Sequence, residues 1–221
     1  MTTLRFNFAV AACLFGLLVG GCAAPPKDYT AFQAHRPRSI LVLPPLNEST
    51  NVAAPYSCLS VATRPLAEMG YYIFPVSLTD ELFKANGMPT PGEMHQVPLN
   101  KVHDIIGADA VLYLTVKQYG TKYVILSSNT EVLVTGRLVD VATGTTLWEG
   151  SGIAMDNSGS SSGGGIGGLI ASAIVAAGTQ IFNSSTDHAH EIAPLAFWNL
   201  AALHEQGLLY GPYSPQAGNP P

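Results

Sequence analysis

The residue with the clearest chemistry in this sequence is Cys22, whose thiol stands at the end of an apolar leader. Arg5 precedes an uncharged, mostly apolar stretch over residues 6–19, and two glycines, residues 20–21, come directly before the cysteine. This layout is typical of a cleaved secretory signal. Acyl chains on the sulfur and the new amino terminus of Cys22 would then anchor the chain, because several chains anchor stably where one does not. We predict a signal peptide over residues 1–21 and lipid attachment at Cys22; the alternative is an ordinary signal peptide with a chance cysteine.

A second segment that could meet lipid covers residues 163–182, which contain no charged side chain. Its length matches the roughly 20 residues that a helix needs to cross a membrane. Small residues recur at every fourth position, a spacing that lets helices approach closely. Three interpretations stay open here: a small-faced helix in the core or at a dimer interface, a segment that inserts into a membrane, and a Gly/Ser loop.

Histidine and carboxylate side chains are close together over residues 187–191, where a metal site is conceivable. On a helix, however, His188 and His190 point about 200° apart and cannot bind one ion. His204 and Glu205 follow later in the chain. We predict a structural or solvated role for these side chains and no metal site.

Side chains for nucleophilic catalysis do not form a recognisable pattern. The serine at 151 lies between glycines but lacks the G-x-S-x-G spacing of a nucleophile elbow. Cys58 could be served by His35 or His95, although its apolar neighbours would raise the pKa of its thiol. We therefore predict no enzyme activity and no catalytic residue. A small-ligand binder or hydrolase with its site near residues 47–51 is kept as an alternative.

A dinucleotide site is not indicated either, although glycines 163, 165 and 168 match G-x-G-x-x-G. That fingerprint is informative only when it connects a strand tightly to a helix, and here a long polar loop intervenes. We predict no cofactor.

Composition narrows the choice of partners. The net charge is −5, and loss of Arg5 with the leader makes it −6, so neither nucleic acid nor an anionic membrane surface is an expected partner. Only 11% of residues are charged and 47% are hydrophobic, which indicates that some surface meets lipid or other subunits, including a homodimer partner. Cys58 has no cysteine partner once Cys22 is acylated, and we expect it to be buried rather than to form an intermolecular bridge.

The elements that must position these residues follow from hydrophobic periodicity. A strand, a helix and a strand open the domain as a βαβ unit, two helices follow, and three strands come next, the last two joined as a hairpin at residues 142–144. The predicted strands cover residues 40–43, 71–74, 110–116, 130–141 and 145–155, and the predicted helices cover 52–69, 77–86, 100–106 and parts of 165–205.

The predicted fold class is therefore α/β: a single three-layer-like domain with a mixed sheet of about five strands flanked by helices. A lipidated tether over residues 22–38 would precede the domain at residues 39–210. Within the domain, we expect a Gly/Ser-rich loop at residues 156–165. A disordered tail would follow at residues 211–221.

Two long blocks, residues 37–49 and 65–76, resemble a family of bacterial outer-membrane lipoproteins of unknown function, the meningococcal vaccine-candidate type. Shorter blocks fit the same family at residues 28–30, 107–110, 119–123, 138–140 and 147–150. The resemblance implies a domain similar to the amino-terminal domain of TolB, and more loosely to the curli-secretion lipoprotein and to LpoB. In such lipoproteins, Ala23 after the acylated cysteine implies transfer to the outer membrane.

The resemblance also implies partners, because members of the family occur beside other envelope lipoproteins, one of them similar to the curli-secretion pore. We accordingly expect an outer-membrane lipoprotein on the periplasmic face that is a non-enzymatic docking or assembly accessory of a secretion-like envelope complex. The alternative is an oligomeric conduit component that inserts residues 163–182 into the membrane. The resemblance supplies no catalytic residues.

Overall fold

A mixed β-sheet lies at the centre of the computed structural model, which describes residues 27–124, 127–158 and 187–221. Its strand order is β3-β1-β4-β5-β6, and a short β2 pairs with part of β4. The strands are β1 (Ser39–Val42), β2 (Leu46–Asn47), β3 (Tyr72–Ile73), β4 (Ala110–Val124), β5 (Ser127–Asp140) and β6 (Thr146–Ser158). β1 is parallel to β3 and β4, whereas β4, β5 and β6 are antiparallel. The predicted βαβ start and hairpin end are thus confirmed.

Helices cover both faces of this sheet, as a three-layer α/β domain requires. They are α1 (Thr30–His35), α2 (Ala54–Glu68), α3 (Val76–Ala85), α4 (Pro91–Met94), α5 (Leu99–Ile105) and α6 (His188–Ala202). Ile40 and Val42 of β1 pack in one core with α1, α2 and α6, while Leu41 packs in a second core with α3, α4 and α5. Side chains alternate between the two faces of a strand, so the apolar run at residues 40–43 is buried on both.

Order begins earlier than predicted, because part of the expected tether folds onto the domain. Residues 30–35 form α1, and Phe32 is buried in the core shared with α2 and α6. The Tyr29 hydroxyl donates a hydrogen bond to the Gly207 carbonyl at 2.6 Å. A tether that extends to residue 38 is therefore wrong, because two aromatic side chains in this polar stretch find apolar surface and a backbone acceptor.

The tail is also ordered, contrary to the prediction of disorder over residues 211–221. Gly211 donates its N–H to Met69 O at 2.9 Å, and Tyr210 and residues 218–219 exchange backbone hydrogen bonds. A Cβ on Gly211 would lie 2.3 Å from the Gly70 carbonyl oxygen. The glycine is needed for this close approach, so the Pro- and Gly-rich composition here serves packing rather than disorder.

The predicted Gly/Ser-rich loop begins later than residue 156, since residues 156–158 continue β6. The remainder of that loop lies outside the described residues. β4 extends past residue 116 to Val124, because its pairing with β5 continues to Ser127; residues 123–126, which could be an extra strand or an extension by sequence, thus contribute to the extension as far as Val124.

Candidate docking surfaces

Cys22, residues 163–182 and the glycines at 163, 165 and 168 lie outside the described residues, so their roles stay predictions. No helix in the described ranges is long and apolar enough to span a membrane. The other candidate residues lie within the described ranges.

A polar cluster that the sequence analysis missed joins α2, β4 and α6. The Ser57 hydroxyl lies 2.6 Å from the Tyr119 hydroxyl and 2.8 Å from Nδ1 of His190. Tyr119 also donates to Oδ2 of Asp187 at 2.7 Å. These residues are up to 133 positions apart in the chain, and no local motif links them, so only the packing of α6 against α2 brings them together.

This cluster includes a serine and a histidine in contact, yet its carboxylate is placed for a structural role. In a serine hydrolase the carboxylate bonds the imidazole and orients it. Here Oδ1 of Asp187 accepts the backbone N–H of His190 and so caps α6, while Oδ2 binds Tyr119. Burial raises the pKa of Tyr119 above its ordinary value; the hydrogen bond with Ser57 opposes this rise, and the bond to Asp187 adds to it. The tyrosine therefore stays protonated and acts as a fixed donor.

Cys58 is fully buried on α2 beside this cluster. Burial, together with the nearby Asp187 carboxylate, raises the pKa of its thiol to about 12. The two histidines considered as its base are engaged elsewhere: His35 lies 3.3 Å from Asp140, and His95 lies 2.9 Å from the Pro44 carbonyl. Cys58 is thus a core residue, as the sequence predicted.

We expect the Cys58 thiol to resist alkylation in the folded protein, because the reagent cannot reach the buried side chain and the thiol stays protonated at neutral pH. Iodoacetamide at neutral pH should leave Cys58 unmodified in native protein and modify it fully after unfolding in urea. Peptide mass spectrometry gives the modified fraction. Rapid modification of the native protein would contradict this description of the core.

The histidine-rich stretch forms local pairs with carboxylates. Nδ1 of His188 lies 3.3 Å from Glu191, and Nδ1 of His204 lies 3.9 Å from Glu205. Within the residues that the structure describes, no three His, Cys, Asp or Glu side chains are placed to hold a metal ion.

The loop at residues 47–51, considered as a ligand site, satisfies its own polar groups. Oδ1 of Asn47 accepts both the N–H and the hydroxyl of Ser49, and Oδ1 of Asn51 accepts the N–H of Ala53. The Asn47 amide donates to the Asn51 carbonyl at 2.8 Å. These bonds shape the turn before α2, which leaves fewer polar groups to orient a ligand.

An apolar groove lies between α3 and α5, on the sheet face opposite α6. It has a volume of about 290 Å³, and we call it the α3–α5 groove. Its lining is Leu82, Phe83, Asn86, Met88, Glu93, Gln96, Val97, Pro98, Lys101, Val102, Ile105 and Ile106. Ile105 is 65% exposed, and Leu78, one helical turn before Leu82, is 68% exposed. Clustered exposed apolar side chains are typical of a protein interaction site.

The two charged side chains at the rim of the α3–α5 groove, Glu93 and Lys101, differ in their hydrogen-bond partners. Glu93 closes a capping box, in which its carboxylate accepts the N–H and the hydroxyl of Thr90 at 2.9 and 2.7 Å. Lys101 is exposed, and none of the ion pairs among the described residues includes it. The groove therefore offers an apolar floor beside a free positive charge.

A larger groove of about 920 Å³ lies along β6 and is partly lined by Lys27, the first described residue. We call it the β6 groove. Thr115, Thr135 and Ser151 form one cross-strand row in it, and Tyr113, Arg137 and Glu149 form the next. The Arg137 guanidinium lies over the Tyr113 ring at 5.0 Å.

Comparison with known proteins shows related sequences and folds. Residues 27–213 match the family described as “Putative lipoprotein GNA1162-like”. The “Putative lipoprotein NMB1124/NMB1162” of Neisseria meningitidis serogroup B (strain ATCC BAA-335 / MC58) is 44% identical over 190 residues, which is 86% of each chain.

Solved structures resemble the domain as well. The crystal structure of lipoprotein GNA1162 from Neisseria meningitidis has a TM-score of 0.54 at 46% identity and covers 63% of this chain and 96% of that one. The LpoB C-terminal domain from Salmonella enterica is 18% identical, with a TM-score of 0.39 over 53% of this chain and 82% of that chain.

Proposed function

The chain belongs to the GNA1162-like family of lipoproteins, and on that premise we propose that it is an outer-membrane lipoprotein that docks other envelope proteins. Family membership confirms the resemblance noted in the sequence. It also supports Cys22 as the lipid-bearing residue, since the small-small-cysteine ending of the leader supplies the acceptor that a lipoprotein needs. The proposed location is the periplasmic face of the outer membrane.

The observation that carries the docking role is the α3–α5 groove. Leu82 and Ile105 line this groove and Leu78 lies one helical turn before Leu82, and these three side chains are 38–68% exposed. Full burial of an exposed leucine or isoleucine side chain contributes roughly 1.5 to 3 kcal/mol, and these partly exposed side chains can contribute a corresponding fraction. A partner that covers them recovers this free energy, which is the usual basis of helix-in-groove recognition.

The proposed occupant is an amphipathic helix of another envelope protein, with an acidic side chain beside its apolar face. Charge complementarity favours the acidic side chain: Lys101 is exposed at the rim and belongs to none of the ion pairs among the described residues, whereas the Glu93 carboxylate, although still charged, is held by Thr90. Opposite charges across an interface speed association and fix the register of the partner.

A non-enzymatic role is the interpretation that the polar cluster supports. Asp187 binds Tyr119 and the backbone of His190 instead of the His190 imidazole, so the histidine lacks the orienting carboxylate of a catalytic triad. We assign this cluster to holding α6 against α2 and β4.

Replacing Ile105 with glutamate should abolish docking at the α3–α5 groove while the domain stays folded, because the side chain is 65% exposed. A charge facing an apolar partner should cost about 2 kcal/mol or more, which lowers recovery of the bound protein more than tenfold. The measurement is quantitative pull-down of lipidated, tagged protein from cross-linked envelopes. Lys101→Glu should weaken capture of the same protein.

The matched control is Val52→Glu, which adds the same charge at an apolar side chain that is 90% exposed outside the groove. It should capture the partner as the natural protein does. Equal capture by all three variants would show that the α3–α5 groove is not the docking site.

A further inference from the structure

We propose that the lipid-anchored domain lies with its β6 edge against the headgroups of the membrane that holds Cys22, so that the α3–α5 groove points away from the bilayer. This inference rests on the lipid attachment that the proposed function includes. The orientation of the domain on the membrane gives the protein a second interaction surface, the β6 edge, which contacts the phospholipid headgroup layer.

The chain between the anchor and the domain is short. Only residues 23–26 separate Cys22 from Lys27. Five residue steps reach at most about 18 Å when fully extended. The point of the domain at which Lys27 is held must therefore lie within about 18 Å of the acylated residue.

Lys27, the residue at the end of this short connection, is fixed to β6. Its Nζ donates to the Glu149 carbonyl and lies 5.0 Å from the centre of the Trp148 ring. Burial lowers the pKa of this lysine, which agrees with an amino group held against the domain. Directly after it, Tyr29 and Phe32 pack into the domain. The anchor thus pulls on the β6 edge and not on another part of the sheet.

The β6 edge carries exposed apolar side chains, and some of its carbonyls are already hydrogen-bonded. β6 has thirteen residues and ends the described sheet on this side. Ile153, Met155 and Leu203 are 40–48% exposed there. Two of its carbonyls are already taken, that of Glu149 by Lys27 and that of Ile153 by the Asn199 amide at 2.8 Å. Added strands are thereby disfavoured, while the exposed apolar side chains suit contact with the boundary between headgroups and acyl chains.

The α3–α5 groove lies toward the other side of the sheet. Its core partners include Leu41 on β1, Leu43 just after β1, Val111 on β4 and Val141 just after β5. Strands are spaced about 4.8 Å apart, so β1 lies roughly 14 Å from β6 across the sheet. With β6 at the membrane, the docking groove faces the space in which soluble domains of envelope proteins are found.

The test compares fluorophores on single introduced cysteines in the lipidated full chain. Met155→Cys marks the β6 edge and Leu78→Cys marks α3, while buried Cys58 stays unlabelled. The protein is reconstituted in phosphatidylethanolamine and phosphatidylglycerol vesicles that carry a headgroup quencher. Because the probes differ by roughly 14 Å or more in distance from the headgroups, quenching at 155 should exceed quenching at 78 by at least about twofold. Equal quenching, or stronger quenching at 78, would overturn the orientation.

A second variant tests whether the short connection causes the orientation. A Gly/Ser insertion of about 20 residues between residues 26 and 27 adds a root-mean-square reach of about 25 Å. The difference between the two probes should then fall by at least half. A difference that persists in full would overturn the role of the connection.

The two proposals fail in different ways. If Cys22→Ala protein binds the same vesicles as strongly as the natural protein, the lipid anchor in the proposed function is wrong. If only the lipidated chain binds and both probes are quenched equally, the anchor stands and the orientation is wrong. Capture of a partner through the α3–α5 groove is measured separately and depends on neither result.

Discussion

Gly152→Ala should lower the free energy of unfolding of the domain by about 3 kcal/mol, at the upper end of what overpacking a core usually costs. Gly152 lies on β6 directly beneath α6. A Cβ at this position would come within 2.0 Å of the Ala196 carbonyl oxygen and 2.5 Å of the Leu200 N atom. Both atoms belong to the helix backbone, which cannot move aside as a flexible side chain can.

The displacement of α6 would also reach the polar cluster, because His190 and Asp187 at the start of the helix bind Ser57 and Tyr119. Urea unfolding of the mature protein, followed by circular dichroism, measures the change in free energy. Gly92→Ala is the control: its Cβ would meet nothing closer than Thr90 Oγ1 at 4.0 Å, and a compatible Gly→Ala change stabilises by about 0.4 to 1 kcal/mol. Equal stability of the two variants would contradict the packing of α6 on β6.

Cys22→Ala should move the protein almost entirely from the membrane fraction to the soluble fraction. One acyl chain gives marginal, reversible binding, and each buried CH₂ adds about 0.8 kcal/mol, so several chains make the anchor effectively permanent. Removing the acceptor residue removes all of them together. Fractionation of cells after a carbonate wash, followed by immunoblotting, measures the distribution.

Cys13→Ala is the matched control, since Cys13 lies in the middle of the leader and would leave the chain with the cleaved signal. This variant should fractionate like the natural protein. Retention of the Cys22→Ala protein on washed membranes would show that something other than acylation holds the chain there.

Sequence predicts a segment of the fold well when its side-chain pattern indicates both the type of secondary structure and which side chains are buried. Residues 40–43 are wholly apolar and end at two prolines, and they form β1, buried on both faces. In β5, residues 130–134 alternate between buried and part-buried side chains, and residues 142–144 predict the turn that joins β5 to β6. The local pattern is sufficient there because burial follows the position of each side chain on the strand.

Sequence fails where distant contacts decide the structure. α1 is a single short helix, stabilised by the burial of Phe32 and the bond from Tyr29 to Gly207, and nothing near it in sequence indicates those partners. The tail at residues 211–221 is ordered by backbone hydrogen bonds to Met69 and within itself. Composition alone suggests disorder at such a segment, because glycine and proline contribute little apolar surface.

Candidate sites that depend on local sequence could also be predicted, whereas those that depend on tertiary packing could not. Cys22 is specified by a contiguous motif, and the burial of Cys58 by its apolar neighbours. The α3–α5 groove, in contrast, depends on which helix faces meet, since Leu82 and Ile105 belong to different helices. The Ser57 cluster likewise depends on tertiary packing that brings together three elements.

The most direct measurement of the docking role is site-specific photo-crosslinking in intact cells, with a photoreactive amino acid at position 105 in one strain and at position 52 in another. The lipidated protein is then isolated, and its crosslinked products are identified by mass spectrometry. We predict a discrete product with an envelope protein from position 105, through a segment with apolar residues and an acidic side chain, and no such product from position 52. Identical products from both positions, or none from position 105, would contradict a docking accessory that acts through the α3–α5 groove.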